Sequence, residues 1–196
     1  QFRYEQGVDD MSLWKKLFGK KDAQQETDPL HDLTLSNLKV GYLLDYDLKT
    51  WEVKSHNRYD FDGTRSDEWE LDSGDDGCYL GREVDDEVEW SISRKINISD
   101  LGQKDGRILA VPDHIRQHED PPEGMEYQGI RYRLEESGAG HYYPDDRVAG
   151  DEMIYWDYSD ADEDNILTIE QWGENEFDAA VGKWVKEYEF SNILPR

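Results

Sequence analysis

From about residue 40 onward, apolar and polar residues alternate with a period of two, broken by short polar clusters. The alternation predicts strands in YLLDYD, TWEVKSHNRYDFD, DEWELD, CYLGRE and EVEWSISRKI, and again in MEYQGIRYRL, MIYWDYS, ILTIEQW and EFDAAVGKWVKEYEF. Residues 47–50, the SGDDG stretch with its Asp-Gly signal, and Asp85-Asp86 read as turns. Gly138 and Gly140, in SGAGHYY, read as a small polar turn, and slippage near Gly182 reads as a bulge in the last strand, which runs to Phe190. Two stretches keep a helical period instead. Leu13, Trp14, Leu17 and Phe18 in MSLWKKLFGKK share one face, with Ser12 as N-cap and Gly19 as the end, and Leu30, Leu33, Leu35 and Leu38 fit a short turn or helix packed on the sheet.

The strand pattern repeats. A shift of 87 positions brings Trp69 onto Trp156, Leu80 onto Leu167, Glu83 onto Glu170 and Trp90 onto Phe177. Both copies run aromatic strand, acidic turn, aliphatic strand ending in Glu, then a further aromatic, which reads as an internal duplication. The fold class is therefore mainly β. Two tandem antiparallel β-meander repeats form one sandwich or barrel-like body, preceded by a short N-terminal amphipathic helix. The expected layout is a tail with basic helix and linker (1–29), a first β-repeat (30–110), a proline-marked connection (111–124) and a second β-repeat (125–196), with 30–196 as one structural body.

Composition sharpens this picture. Hydrophobic residues are only 36% of the chain, but seven Trp, twelve Tyr and five Phe supply enough buried area for a folded core. The formal net charge is -25, which excludes nucleic-acid phosphates and most anionic surfaces as partners of the body and suits basic proteins, polyamines or other cations. The exception is the N-terminal helix. Residues 11–25 carry four Lys against one Asp, or +3, while residues 1–10 carry -2, leaving -26 on the rest. Residues 1–10 precede Met11, which resembles a start site, and are set aside from fold reasoning. Leu13, Trp14, Lys15, Lys16, Leu17, Phe18, Lys20 and Lys21 are thus candidates for contact with an anionic membrane surface or a membrane-bound protein. The competing reading is that this helix packs on the body. No run is long and apolar enough to span a membrane.

Chemistry-bearing residues are sparse. Cys78 is the single cysteine, so no intramolecular disulfide forms; it reads as a buried structural thiol. His114 and His118 share a helical face but lack a third ligand. The acidic loop 157–165 fails as an EF-hand, since Asn165 stands where glycine is needed and Gln171 where glutamate is. Glu83 and Glu170, equivalent in the two copies, are the one pair that resembles an acid–base site, against the plainer reading of glutamates at strand ends. No nucleophile–base set or phosphate loop is present, so no catalytic residue, cofactor or resident metal is assigned. Tyr142, Tyr143, Tyr155 and Trp156, with nearby acids, are candidates for an aromatic, anionic ligand pocket.

The segments LKVGYLLDYDLKTWEV, DEWELD, CYLGRE, YQGIRYRLEESGAGHYY and ILTIEQWGENEFDAAVGKWVKEYEFSNI resemble an uncharacterised bacterial family, a domain of unknown function. The resemblance covers roughly residues 35–193 and rests on strand patterns. It implies a β-rich bacterial cytoplasmic protein encoded near phage-shock-type membrane-remodelling and polyamine-synthase-like genes, and it carries no catalytic residues. The leading expectation is a non-enzymatic adaptor or scaffold of an envelope-stress or membrane-maintenance system. It would act at the cytoplasmic face of the inner membrane and use its acidic body to hold a basic protein partner. The alternative is a ligand-binding module for a polyamine or other cationic ligand, and the third reading is a carboxylate-based enzyme.

Overall fold

The computed structural model describes residues 33–102, 110–145 and 147–196; Leu33–Arg196 form one compact unit. It holds eleven antiparallel strands: β1 (Leu43–Tyr46), β2 (Lys49–Phe61), β3 (Thr64–Asp72), β4 (Gly77–Val84), β5 (Val88–Ile96), β6 (Gly124–Tyr127), β7 (Ile130–Tyr143), β8 (Asp151–Ser159), β9 (Asn165–Gly173), β10 (Glu176–Val185) and β11 (Ser191–Leu194). A single helix, α1 (Val111–His118), and 3-10 turns at Leu35–Asn37, Ile98–Asp100 and Glu187–Glu189 complete the described elements. Hairpins follow from local chemistry. At Asp62-Gly63 both residues take positive φ (52° and 101°), the mirror-image turn whose twist matches its strands.

The strands lie in one sheet, in the order β11-β1-β2-β3-β4-β5-β10-β9-β8-β7-β6. A further pairing of β2 with β7, through Arg58–Tyr143, Tyr59–Tyr142 and Asp60–His141, closes eight of them into a ring. The mainly β, barrel-like expectation therefore holds. The two halves also share an element order: a short strand, four long strands, then a 3-10 turn. Common descent of the halves is a proposal that this shared order supports.

The ring is apolar outside and polar inside. On β3, Trp69 and Leu71 are buried with Leu80 of β4 and Trp90 and Ile92 of β5 in one outer core. Leu35 and Leu38 from the preceding 3-10 turn and Phe190 near the chain end cover it, and Trp69 donates its indole N–H to the Leu38 carbonyl. In the second half, Trp156, Leu167 and Ile169 build a second outer core with Tyr158. Val111 and Ile115 of α1, and Leu101, cover that one. There Trp156 donates to the Asp120 carboxylate and Tyr158 to the Pro122 carbonyl. Burial of these large side chains is the main source of stability.

A bulge in β2 and another in β7 switch which face of those two strands points into the ring. In β2, Val53 pairs with Leu71, but Ser55 pairs with Glu70, so Lys54 is an extra residue. Trp51 and Val53 face the first outer core, and beyond the bulge Ser55, Asn57, Tyr59 and Phe61 face the ring interior. In β7, Leu134 pairs with Tyr158 and Glu136 with Asp157, leaving Glu135 extra. A one-residue insertion changes which face every later side chain occupies.

Four local expectations are corrected. Gly138–Gly140 lie within β7 rather than in a turn, because the glycines are needed where strands crowd the interior. The bulge of β10 falls at Glu176-Phe177 rather than at Gly182, which pairs regularly with Ser93 and Ile166. That strand ends at Val185, because residues 187–189 turn in a 3-10 helix that delivers Phe190 to the first core. Residues 111–118, expected within the connection, form α1; Pro112 suits a helix start, where its missing N–H is not needed.

Candidate functional site: an acidic barrel lumen

The ring encloses a cavity of about 740 Å³, within the size range of small-molecule sites. Eight strands leave an interior that ordinary side chains would fill, so the space depends on small residues. A Cβ on Gly140 would sit 2.7 Å from the Phe61 ring, one on Gly138 2.9 Å from Tyr155, and one on Gly81 2.5 Å from the Ser91 hydroxyl. One wall is a run of aromatic rings. Trp172 meets Tyr142 edge-on at 5.3 Å, Tyr142 meets Tyr59 at 4.9 Å, Tyr59 stacks with Phe61 at 5.7 Å, and Phe61 meets Tyr155 edge-on at 4.7 Å.

Carboxylates dominate the remainder. Ten lining residues are acidic and two, Arg82 and Lys95, are basic. Arg82 is engaged with Asp67 at 3.0 Å, and Lys95 with Asp178 at 2.6 Å. The other eight acids have no basic partner among the lining residues.

The carboxylates fall into two groups. In the first, Glu68 accepts from the Asn57 side-chain amide at 3.1 Å and lies near Glu170, Asp178 and Lys95. Burial, then the charges of Glu68 and Asp178, pushes Glu170 up to about 8; burial also raises Glu68. In the second group, Asp157 accepts from the Thr168 hydroxyl at 2.6 Å, and Tyr155 donates to Glu136 at 3.0 Å. Burial, opposed by the Thr168 hydrogen bond and aided by the Glu136 charge, raises Asp157 to about 6. Glu83 sits where solvent reaches it, yet the protein around it, and then Asp157, Glu89 and Glu136, raise it to about 7. All three shifts mean the same thing: the folded protein holds negative charge here only reluctantly.

Of the four aromatic candidates, Tyr142 and Tyr155 line the lumen. Tyr143 lies on the opposite face beneath Arg58, 5.9 Å from the guanidinium, and Trp156 is buried in the second outer core. Adjacent strand residues point to opposite faces, so the pairs 142–143 and 155–156 cannot share one pocket. Glu83 and Glu170 do line the same cavity, in different groups. Sequence reasoning missed Tyr59, Phe61, Glu68, Asp157, Trp172 and Asp178. Their signal lies in alternation such as DEWELD, whose second face carries the glutamates. Cys78 is buried, and burial pushes its thiol up to about 12, so it stays an inert core residue. His114 and His118 lie 4.4 Å apart on α1, with the His114 ring 2.9 Å from the Asp120 carbonyl oxygen. Among the described residues no group of three potential ligands is placed to hold a metal ion. Leu13, Trp14, Lys15, Lys16, Leu17, Phe18, Lys20 and Lys21 lie outside the described residues.

The model of a family described as Domain of unknown function (DUF4178) matches residues 39–187, which include every strand of the ring. The chain belongs to the DUF4178 family. An uncharacterized protein of Aquifex aeolicus (strain VF5) is 31% identical over 182 residues, covering 93% of this chain and 96% of that protein. The family is thus represented in bacteria, and the similarity extends beyond the DUF4178 match on its N-terminal side. No solved structure matches the chain. Among the described residues no helix is long and apolar enough to cross a membrane.

Proposed function

We propose that this DUF4178 protein is a binding module for a small organic ammonium ion, held in the barrel lumen. The observation that carries the reading is the excess of lining carboxylates over basic partners, with Glu68, Asp157 and Glu170 half-buried, beside a run of aromatic rings in a space of ligand size. Enclosing unpaired carboxylates is unfavourable, and these groups respond by keeping protons. An ammonium ion supplies the missing positive charge, and aromatic faces add about 0.5–2 kcal/mol of cation–π attraction. Its size suits carboxylates spread around a wall better than a bare metal ion does.

Titration calorimetry with spermidine at physiological salt tests this. Saturable binding that weakens in Glu170→Gln supports it, and absence of heat from spermidine, putrescine and butylamine alike rules it out. A carboxylate-based enzyme would need two carboxyls sharing one substrate atom, and the placement of Glu83 and Glu170 in separate groups favours binding over acid–base pairing. The adaptor reading rests on residues 11–21. It is tested separately by flotation with anionic vesicles, comparing the whole chain with a version starting at Thr27.

A further inference from the structure

We infer that the lumen is a two-point site for a linear diammonium ion, one ammonium held by the Glu68–Glu170 group and the other by the Glu83–Asp157 group. This rests on the cation-binding reading above and adds to it the shape and valence of the ligand. The strand register sets the spacing. Glu68 lies opposite Gly81 and Glu83 opposite Ser66, a stagger of two residues along β3 and β4. On the other side Asp157 lies opposite Thr168, and Glu170 follows two residues later on β9. Two residues of strand rise about 7 Å, so both walls place their two carboxylates at the same axial offset. An extended α,ω-diamine with four or five methylenes covers that length.

What lies between the two groups is also suited to such a chain. Gly81, Ala180 and Gly182 keep that wall low, and Phe61 and Tyr155 offer ring surface to methylenes. Ser91 is more than nine-tenths buried and lines the cavity beside Gly81. Its hydroxyl makes no hydrogen bond with another described residue, and Ser91 pairs with Gly81, which pairs with Glu68, so a polar acceptor lies in register with the Glu68 group. Glu68 is close enough to raise Glu170, and Asp157 to raise Glu83, while neither Glu83 nor Glu170 is among the causes that shift the other. The lumen thus holds two separate negative centres.

The test is calorimetry on the full chain with butylamine, putrescine, cadaverine and spermidine, at about pH 8 and physiological salt. The two-point site predicts that putrescine or cadaverine binds about 10- to 100-fold more tightly than butylamine, the contribution of one further charged contact. It also predicts that Glu170→Gln and Glu83→Gln each bring the diamine down to the butylamine level. Glu170→Gln removes a half-buried charge and Glu83→Gln a solvent-reached one, so both variants should fold, which a thermal melt of each confirms. Butylamine binding as tightly as the diamines, or diamine binding indifferent to either variant, overturns the two-point site while leaving cation binding intact. If none of the four amines binds, both readings fall.

Discussion

At the scale of single residues, the lumen exists because particular side chains are missing. Gly140 is the sharpest case: any Cβ there enters the Phe61 ring. Gly140→Val should therefore destabilise the protein by about 1–3 kcal/mol, the usual range for overpacking, and should weaken amine binding. Adding Phe61→Ala to it should recover part of the stability, as a denaturant titration of the double variant would show. Lack of recovery would place the strain elsewhere. On the outer faces the opposite rule applies. Leu71 is fully buried among Trp51, Trp69 and Leu80, and Leu71→Ala should cost about 2–5 kcal/mol with little change in ligand affinity once the protein is folded. The contrast between these two variants, one filling space and one emptying it, separates the lumen from the cores in a single set of melts.

At the scale of elements, the two bulges decide what the ring contains. Lys54 is 39% exposed at its side chain and reaches Glu52 at 3.1 Å, a surface contact of little energetic weight. Lys54→Ala should thus shift stability by no more than about 0.5 kcal/mol. Deleting Lys54 should do far more. It would turn Ser55, Asn57, Tyr59 and Phe61 outward and break the pairing with β7, which loss of cooperative melting and of near-ultraviolet aromatic circular dichroism would report. The same feature explains what the sequence could and could not reveal. Alternation in DEWELD and EVEWSISRKI makes the strands readable, and Trp69 and Trp156 are each buried in one of the two outer cores. Which face of each strand is the core follows the usual rule at Trp69 and Leu71, but alternation alone does not say what the other face meets. Nothing local to Glu68 or Glu170 says that their face curls into a closed space. That depends on β2 meeting β7, a pairing between Tyr59 and Tyr142 across more than eighty residues. For the same reason glycines buried against neighbouring strands were read as a turn, and Tyr143 and Trp156 were grouped with neighbours that point the other way.

At the scale of the whole molecule, the enclosed carboxyls set a direction for stability against pH. Glu170 moves from 4.5 to about 8 on folding, Glu83 from 4.5 to about 7 and Asp157 from 3.8 to about 6. Between those limits the folded state holds protons that the unfolded chain has released. Their contribution is therefore fully retained below the unfolded values and lost as pH rises through the folded ones. Asp67, lowered by its hydrogen bond with His56 and by Arg82, works the other way, its contribution being lost as pH falls below the ordinary carboxylate range. The melting temperature should thus be higher near pH 6 than near pH 8.5, and a saturating diamine should restore the difference at the higher pH; a melt that rises from pH 6 to pH 8.5 without ligand would contradict this. The topology has a kinetic consequence as well. Strand β10 is inserted between β5 and β9, and β11 returns to pair with β1, near the start of the described body. Segments made after most of the other strands are therefore the ones that complete the sheet at both places. The ring cannot close until β10 has been made, and such non-local pairings belong to domains that fold in milliseconds to seconds rather than microseconds. Until then the carboxylate faces of the early strands stay in water, where charge keeps apart nascent chains whose tryptophan-rich faces would otherwise adhere.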